Sequence, residues 1–170
     1  CSSDLGEIME MISNEEKITQ AVLVSVDTGD YDAEASLAEL KELVKSAGAE
    51  PVFTVTQNLK RPETGTYVGT GKLQEIADIC KQQEIDLLVF DCELSPTQIR
   101  NIEAETDTRT IDRTMLILDI FALRARSKEG KLQVELAQLK YLMPRLTGKG
   151  VAMSRLGGGI GTRGPGETKL

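Results

Sequence analysis

The sequence predicts an α/β fold: a small parallel sheet of about four strands with flanking helices, followed by a helical hairpin subdomain and a glycine-rich loop. Three observations predict it. Over residues 1–112, short Val-, Ile- and Leu-rich runs alternate with segments of helical period, as in βαβ units with parallel strands. Residues 113–143 keep a helical period without strands. Residues 148–166 contain eight glycines, too many for a packed element.

Four short aliphatic runs predict the strands. They occupy residues 20–26, 51–56, 86–90 and 108–112. The first is followed by the turn-forming sequence Asp-Thr-Gly-Asp and the third by Asp91. Apolar runs of this length between turn signals are typical of strands buried on both faces of a parallel sheet.

Three helices are predicted between the strands, over residues 32–47, 71–83 and 95–105. Leucines in the first recur at helical spacing, and Gly48 follows its end, where a left-handed residue is favoured. The third begins at a capping box, because Ser95 is followed by Pro96 and, three positions after the serine, by Gln98.

Two further helices predict an antiparallel hairpin after residue 112. The first covers residues 113–126. The second has apolar residues at helical spacing and should end or kink near Pro144, which cannot donate a backbone hydrogen bond. A turn at residues 127–130 joins them. We therefore expect an α/β subdomain over residues 1–112 and a second unit over residues 113–170, made of the hairpin and the glycine-rich loop.

The net charge of −7 would argue against a nucleic-acid partner, but it is unevenly distributed. Residues 1–110 carry 9 basic and 22 acidic side chains, a net charge of −13. Residues 111–170 carry 11 basic and 5 acidic side chains, a net charge of +6. An anionic partner is therefore expected at the second part of the chain.

Several kinds of chemistry are excluded by composition. The chain has no His, so His-dependent catalysis and His metal ligands are absent. The cysteines Cys1, Cys80 and Cys92 form no CxxC pair, which predicts a reduced, cytoplasmic protein without a metal site. No apolar run approaches the ~20 residues of a membrane span, so no membrane partner is expected. Aromatic residues make up 4% of the chain, too few for a base-stacking platform.

Five carboxylates near predicted strand and helix ends could suggest acid–base chemistry, but no nucleophile or metal spacing accompanies them. We interpret them as solvated surface groups or caps. They are Asp86, Asp91, Glu103, Glu105 and Asp107.

A glycine-containing turn precedes the second helix and invites a phosphate-binding interpretation. Gly69, Gly71 and Lys72 lie at that helix start, near the sheet edge where doubly wound folds bind ligands. The segment is not a Walker A loop, because that motif would require Gly and Ser or Thr where the chain has Thr66 and Leu73. The simpler interpretation is a turn and helix entry; a weak anion or nucleotide site is the alternative.

The glycine-rich segment contains G-x-G-x-x-G at residues 159–164, but without a preceding strand. A dinucleotide site is therefore not expected. Glycine N–H groups and nearby arginines suit contact with an anionic surface. A solvated, disordered linker is the alternative.

Several stretches together resemble the HflX family of translational GTPases. They are YVGTGK at residues 67–72, ELSP at 93–96, DRT at 112–114, LDIFA at 118–122, VELAQL at 134–139 and LGGGIGTRGPGET at 156–168. The resemblance implies an N-terminal α/β subdomain and a helical subdomain, followed by a P-loop GTPase domain. It also implies binding to the large ribosomal subunit and the splitting of stalled ribosomes.

The resemblance further implies that GTP and Mg²⁺ belong to a GTPase domain beyond residue 170. The chain, which starts at Cys1 rather than Met, is expected to be a fragment that ends before that domain. It contains neither a Walker A loop nor an N-K-x-D or T-K-x-D guanine-reading motif. We expect no cofactor in this chain and no GTP hydrolysis by it alone.

Together, the resemblance and the charge division predict contact with ribosomal RNA. The glycine-rich end would contribute Arg145, Lys149, Arg155, Gly157, Gly158, Gly159, Arg163 and Lys169. The hairpin tip would contribute Arg124, Arg126, Lys128 and Lys131. Two alternatives remain: a nucleotide- or small-molecule-binding domain with its site at Gly69, Gly71 and Lys72, and a module that only positions its own GTPase domain.

Overall fold

The computed structural model describes residues 18–145. In chain order the elements are β1 (Thr19–Asp27), α1 (Ala33–Ser46), β2 (Ala49–Asn58), α2 (Thr70–Gln82), β3 (Leu87–Phe90), α3 (Pro96–Thr106), β4 (Arg109–Asp112), α4 (Arg113–Arg124), α5 (Lys128–Leu142) and a 3₁₀ turn (Met143–Arg145). The predicted α/β class and four-stranded parallel sheet are confirmed. The predicted glycine-rich loop lies outside the described residues.

The sheet has the strand order β2-β1-β3-β4, with every neighbouring pair parallel. Alternate side chains of each strand point to opposite faces, so two hydrophobic clusters form. Leu23 and Val89 pack with helices α1 and α4 on one face. Val24 and Phe90 pack with helices α2 and α3 on the other. The change in strand order lies between β1 and β3, which makes this the topological switch point of the sheet.

Helix α3 begins as the capping box predicts. The Ser95 hydroxyl oxygen accepts a hydrogen bond from the Gln98 backbone N–H at 3.1 Å, and the Gln98 side-chain oxygen accepts one from the Ser95 N–H at 2.9 Å. These two bonds satisfy donors that the first helical turn would otherwise leave without partners.

The hairpin is antiparallel, as predicted, but its turn is shorter. Ser127 is the N-cap of helix α5, and its hydroxyl oxygen accepts a hydrogen bond from the Gly130 N–H at 2.9 Å. The helix therefore already starts at Lys128, inside the predicted turn. The amide of Gln138 donates to the Asp119 carboxylate at 2.9 Å, which ties α5 to α4.

Helix α4 packs directly on the sheet. Met115, Leu116 and Ile120 belong to the same buried cluster as residues of β1 and β3. The α4 helix thus forms part of the layer that covers the sheet, although it follows the predicted boundary at residue 112. That boundary stays a prediction.

Part of the apolar stripe predicted for helix α5 is left uncovered by the described part of the chain, whereas Leu142 packs partly buried against the core. Leu132, Leu136 and Leu139 are 62%, 53% and 49% exposed, and no α5 residue is buried. Within residues 18–145, no helix has the length and hydropathy that crossing a membrane requires.

Candidate nucleic-acid interface

Four cations cluster around the hairpin turn. Arg124 ends α4, Arg126 lies in the turn, and Lys128 and Lys131 lie in the first turns of α5. All four side chains are exposed, and none forms an ion pair within residues 18–145. We call them the tip cations.

The placement of Lys128 and Lys131 does not favour helix stability. The N-terminus of a helix carries partial positive charge, so exposed cations there cost roughly 0.3–1 kcal/mol each. Glu129 is the only acidic residue between Arg124 and Lys131. The turn is therefore a compact positive surface, and no ion pair within the described residues neutralises it.

Arg145, also predicted to contact phosphate, has a different environment. Its side chain is 13% exposed. One terminal nitrogen donates to the Leu94 carbonyl at 2.9 Å and the other to the Tyr141 carbonyl at 3.1 Å. The guanidinium carbon lies 3.8 Å from the centre of the Tyr141 ring, a cation–π contact. Both terminal nitrogens of the Arg145 guanidinium therefore donate hydrogen bonds within the fold.

Asp112 and Tyr141 complete this cluster, and the sequence patterns did not identify either as a site residue. Asp112 is fully buried. One carboxylate oxygen accepts from the Met115 N–H at 2.9 Å, and the other accepts from the Leu94 N–H at 3.0 Å and from the Tyr141 hydroxyl. Burial and this carboxylate raise the pKa of Tyr141. An Asp between a strand and a helix is an N-cap signal that could have pointed to Asp112.

The other predicted RNA-contacting residues lie outside the described part of the chain, so their roles stay predictions. They are Lys149, Arg155, Gly157, Gly158, Gly159, Arg163 and Lys169.

Two groups of the alternative anion site at the start of α2 already make internal contacts. Gly69 is the N-cap, and its N–H donates to the Gln57 side-chain oxygen at 2.8 Å. The Lys72 ammonium pairs with Glu75 at 3.1 Å. A methyl group at Gly71 would meet no atom within 4 Å. This geometry favours the turn and helix entry.

Two of the five carboxylates do not match the predicted surface or cap roles. Asp91 is buried and accepts from the Arg113 guanidinium at 2.6 Å. Glu103 is buried and accepts from the Thr110 N–H at 3.1 Å. The prediction was wrong for both because each partner comes from a later segment that the fold brings alongside. Asp107 does cap α3, in a left-handed conformation.

Among residues 18–145, burial raises the pKa of both thiols, Cys80 and Cys92, and no metal centre is found. Burial raises the pKa of the Cys92 thiol to about 12, so at neutral pH this thiol keeps its proton and is a poor nucleophile. No group of three or more Cys, Asp or Glu side chains among residues 18–145 could hold a metal ion. Binding through the exposed tip cations is the chemistry that this arrangement best supports.

Two family models match the chain. The model described as "GTP-binding GTPase N-terminal" matches residues 34–122, and the one described as "GTP-binding GTPase Middle Region" matches residues 124–170. The first extends over the sheet and helix α4, and the second over the hairpin turn, helix α5 and the glycine-rich segment.

The chain is also similar to curated proteins named GTPase HflX. It is 56% identical to that of Alkalihalophilus pseudofirmus over 155 residues, which is 90% of this chain and 37% of the relative. It is 51% identical to that of Escherichia coli over 152 residues, which is 89% of this chain and 35% of the relative. The chain thus spans little more than a third of these relatives.

Solved structures of GTP-binding proteins share the fold. A GTP-binding protein of Sulfolobus solfataricus in complex with GDP is 31% identical with a TM-score of 0.58, and the match covers 80% of this chain and 40% of that one. An SsGBP variant, G235P, is 32% identical with a TM-score of 0.62 over 76% of this chain and 40% of that one.

Proposed function

The chain belongs to the GTP-binding GTPase N-terminal family, and from that premise we propose that it is the part of an HflX-type GTPase that binds ribosomal RNA of the large ribosomal subunit. In this proposal the complete protein acts in the cytoplasm and splits stalled ribosomes. GTP and Mg²⁺ are bound by another domain, because this chain has no Walker A loop.

The tip cations are the observation that carries the proposal. They are exposed, without ion pairs in the described residues, and they lie on a hairpin whose first helix, α4, packs on the buried sheet. The cost of placing two lysines at a helix N-terminus is offset if an anion neutralises them. Polyanionic phosphate backbone is the partner that best matches four such charges.

The acidic part of the chain restricts how RNA can approach. Residues 1–110, with their net charge of −13, repel phosphate. The hairpin turn is then the described surface that RNA can approach favourably, and the excess of basic residues after position 145 adds positive charge to the same part of the chain. Contacts between cations and phosphates fix the position and orientation of the protein more than they read the RNA sequence. Because they release counterions from the phosphates, binding should depend strongly on salt.

Measuring affinity for purified large ribosomal subunits at several salt concentrations tests the proposal. The double variant Arg124→Gln/Lys128→Gln should lower the slope of log affinity against log salt by about 1.4–1.8, at roughly 0.7–0.9 for each phosphate that is no longer neutralised. Lys41→Gln/Lys81→Gln is the matched control, because it removes the same charge from exposed body positions. Equal slopes for both variants, or no binding by the wild type, would refute the proposal.

We further propose that the exposed leucines of α5 contact the remainder of the parent protein, including its GTPase domain. Leu132, Leu136 and Leu139 form an apolar stripe, and over 60% of the HflX proteins of Alkalihalophilus pseudofirmus and Escherichia coli lies outside the match. Hydrogen exchange of α5 should slow in a chain extended to the relatives' full length. Unchanged exchange throughout α5 would contradict this contact.

A further inference from the structure

We infer that Arg145 and Tyr141 are positioning residues: together with Asp112 they fix the end of helix α5, up to residue 145, to the α/β body and so hold the point from which the chain continues. We call Asp112, Tyr141, Arg145 and Leu94 the joint. The inference rests on the proposed RNA binding and changes the predicted role of Arg145 from phosphate contact to internal anchor.

Asp112 is the fixed point of the joint. Strand β4 ends at this residue and helix α4 begins immediately after it, so its backbone is held by two elements. Its carboxylate caps α4 through the Met115 N–H and also accepts from the Leu94 N–H. A fully buried carboxylate with several donors is held firmly, because losing any donor would leave charge without compensation.

Tyr141 and Arg145 attach the far end of the hairpin to this point. The Tyr141 hydroxyl donates to the Asp112 carboxylate, and the Tyr141 ring lies under the Arg145 guanidinium. The guanidinium in turn donates to the Leu94 carbonyl. Leu94 therefore donates its N–H to Asp112 and accepts from Arg145, so both of its backbone polar groups belong to the joint.

The joint determines where the basic segment starts. Lys149 follows Arg145 by four residues, and four residues extend at most about 14 Å. Anchoring Arg145 beside Leu94 therefore fixes the point on the body from which the chain toward Lys149 starts. Without the anchor, only a fraction of molecules would present the segment correctly, and the apparent affinity would fall by that fraction.

Exposure and hydrogen bonding distinguish Arg145 from the tip cations. Its side chain is 13% exposed and bonded to two carbonyls, whereas the Arg124 side chain is exposed and has no ion pair within residues 18–145. A residue that touches phosphate adds to the salt slope. A residue that only positions others changes affinity at every salt concentration while leaving the slope unchanged.

The test measures affinity for purified large ribosomal subunits across salt concentrations with the 170-residue chain. Arg145→Gln should weaken binding about tenfold with an unchanged slope, as expected if one molecule in ten keeps the joint closed. Tyr141→Phe, which removes only the hydroxyl, should weaken binding about threefold, again with an unchanged slope. Arg124→Gln should lower the slope by about 0.7–0.9.

Tyr31→Phe is the matched control for the tyrosine change, because the Tyr31 hydroxyl also makes one hydrogen bond, to the Val26 carbonyl. It should bind like the wild type. A lower slope for Arg145→Gln, or unchanged affinity in Arg145→Gln and Tyr141→Phe, would overturn the positioning role. If the wild type itself does not bind, the proposed function fails, and the positioning role fails with it.

Discussion

The buried ion pair between Arg113 and Asp91 gives a sharp prediction for folding stability. Arg113 is the first residue of α4, and Asp91 follows β3. Their closest atoms are 2.6 Å apart, and the Asp91 side chain is fully buried. The variant Arg113→Met keeps much of the side-chain volume but leaves the Asp91 carboxylate without its cation.

The expected cost follows from the exposure of the two partners. Removing one member of a buried ion pair typically costs about 3–5 kcal/mol, because the remaining charge is uncompensated. Arg113 is 24% exposed, so water partly screens the pair, and we expect about 3 kcal/mol. Arg113 also pairs with Glu39, but Glu39 is 64% exposed, so Glu39→Gln should cost no more than about 0.5 kcal/mol.

Urea unfolding followed by circular dichroism at pH 7 measures these differences. Arg113→Met should lower the urea midpoint by at least about 1 M. The double variant Asp91→Leu/Arg113→Met should be more stable than Arg113→Met alone, because it removes the buried charge together with its partner. A stability difference below about 1 kcal/mol for the single variant, or a double variant less stable than the single, would refute this reasoning.

Three further predictions concern capping, backbone conformation and pH. Ser95→Ala should lower the unfolding free energy by about 1 kcal/mol, measured by urea titration, because it removes the hydroxyl of the capping box; an unchanged unfolding free energy would contradict the cap. Glu84 has φ +51°, a left-handed conformation that glycine adopts at less cost. Glu84→Gly should therefore raise the unfolding free energy by about 0.5–1 kcal/mol, seen as a higher melting temperature; a lower melting temperature would contradict it. Burial in the folded state raises the pKa of Cys92 to about 12, so between about pH 9 and 12 the unfolded chain loses this proton more readily than the folded chain. The unfolding free energy should therefore fall over this range by up to about 1.4 kcal/mol per pH unit. Alkaline urea titrations of Cys92→Ala should show a shallower fall, and an equal one would contradict this coupling.

Local sequence signals predicted most of the fold. The capping box of Ser95 and Gln98 formed as expected, and each of the four predicted strands overlaps an observed strand. These signals work because capping, turn formation and apolar spacing act between residues a few positions apart. The turn before α5 was placed less well, because Ser127 is a cap as well as a turn residue.

The basic character of the candidate site follows from the sequence, and its contact with RNA stays a prediction. The tip cations are exposed, as a binding role requires, and the excess of basic residues after position 110 indicated that region from composition alone. Arg145 resembles them in sequence but lies inside the joint, with a partner 51 positions away. Nothing in the local sequence distinguishes a solvated arginine from one that will donate a hydrogen bond to a distant carbonyl.

The sequence by itself determined the α/β class, the hairpin and the separation of acidic and basic parts, because these depend on composition and short-range periodicity. Only the tertiary structure decided which charges are internal. Asp91, Glu103 and Asp112 are buried because Arg113, Thr110 and Leu94, respectively, are brought against them by strand pairing and helix packing. A charge is costly to bury without such partners, and long-range contacts supply them.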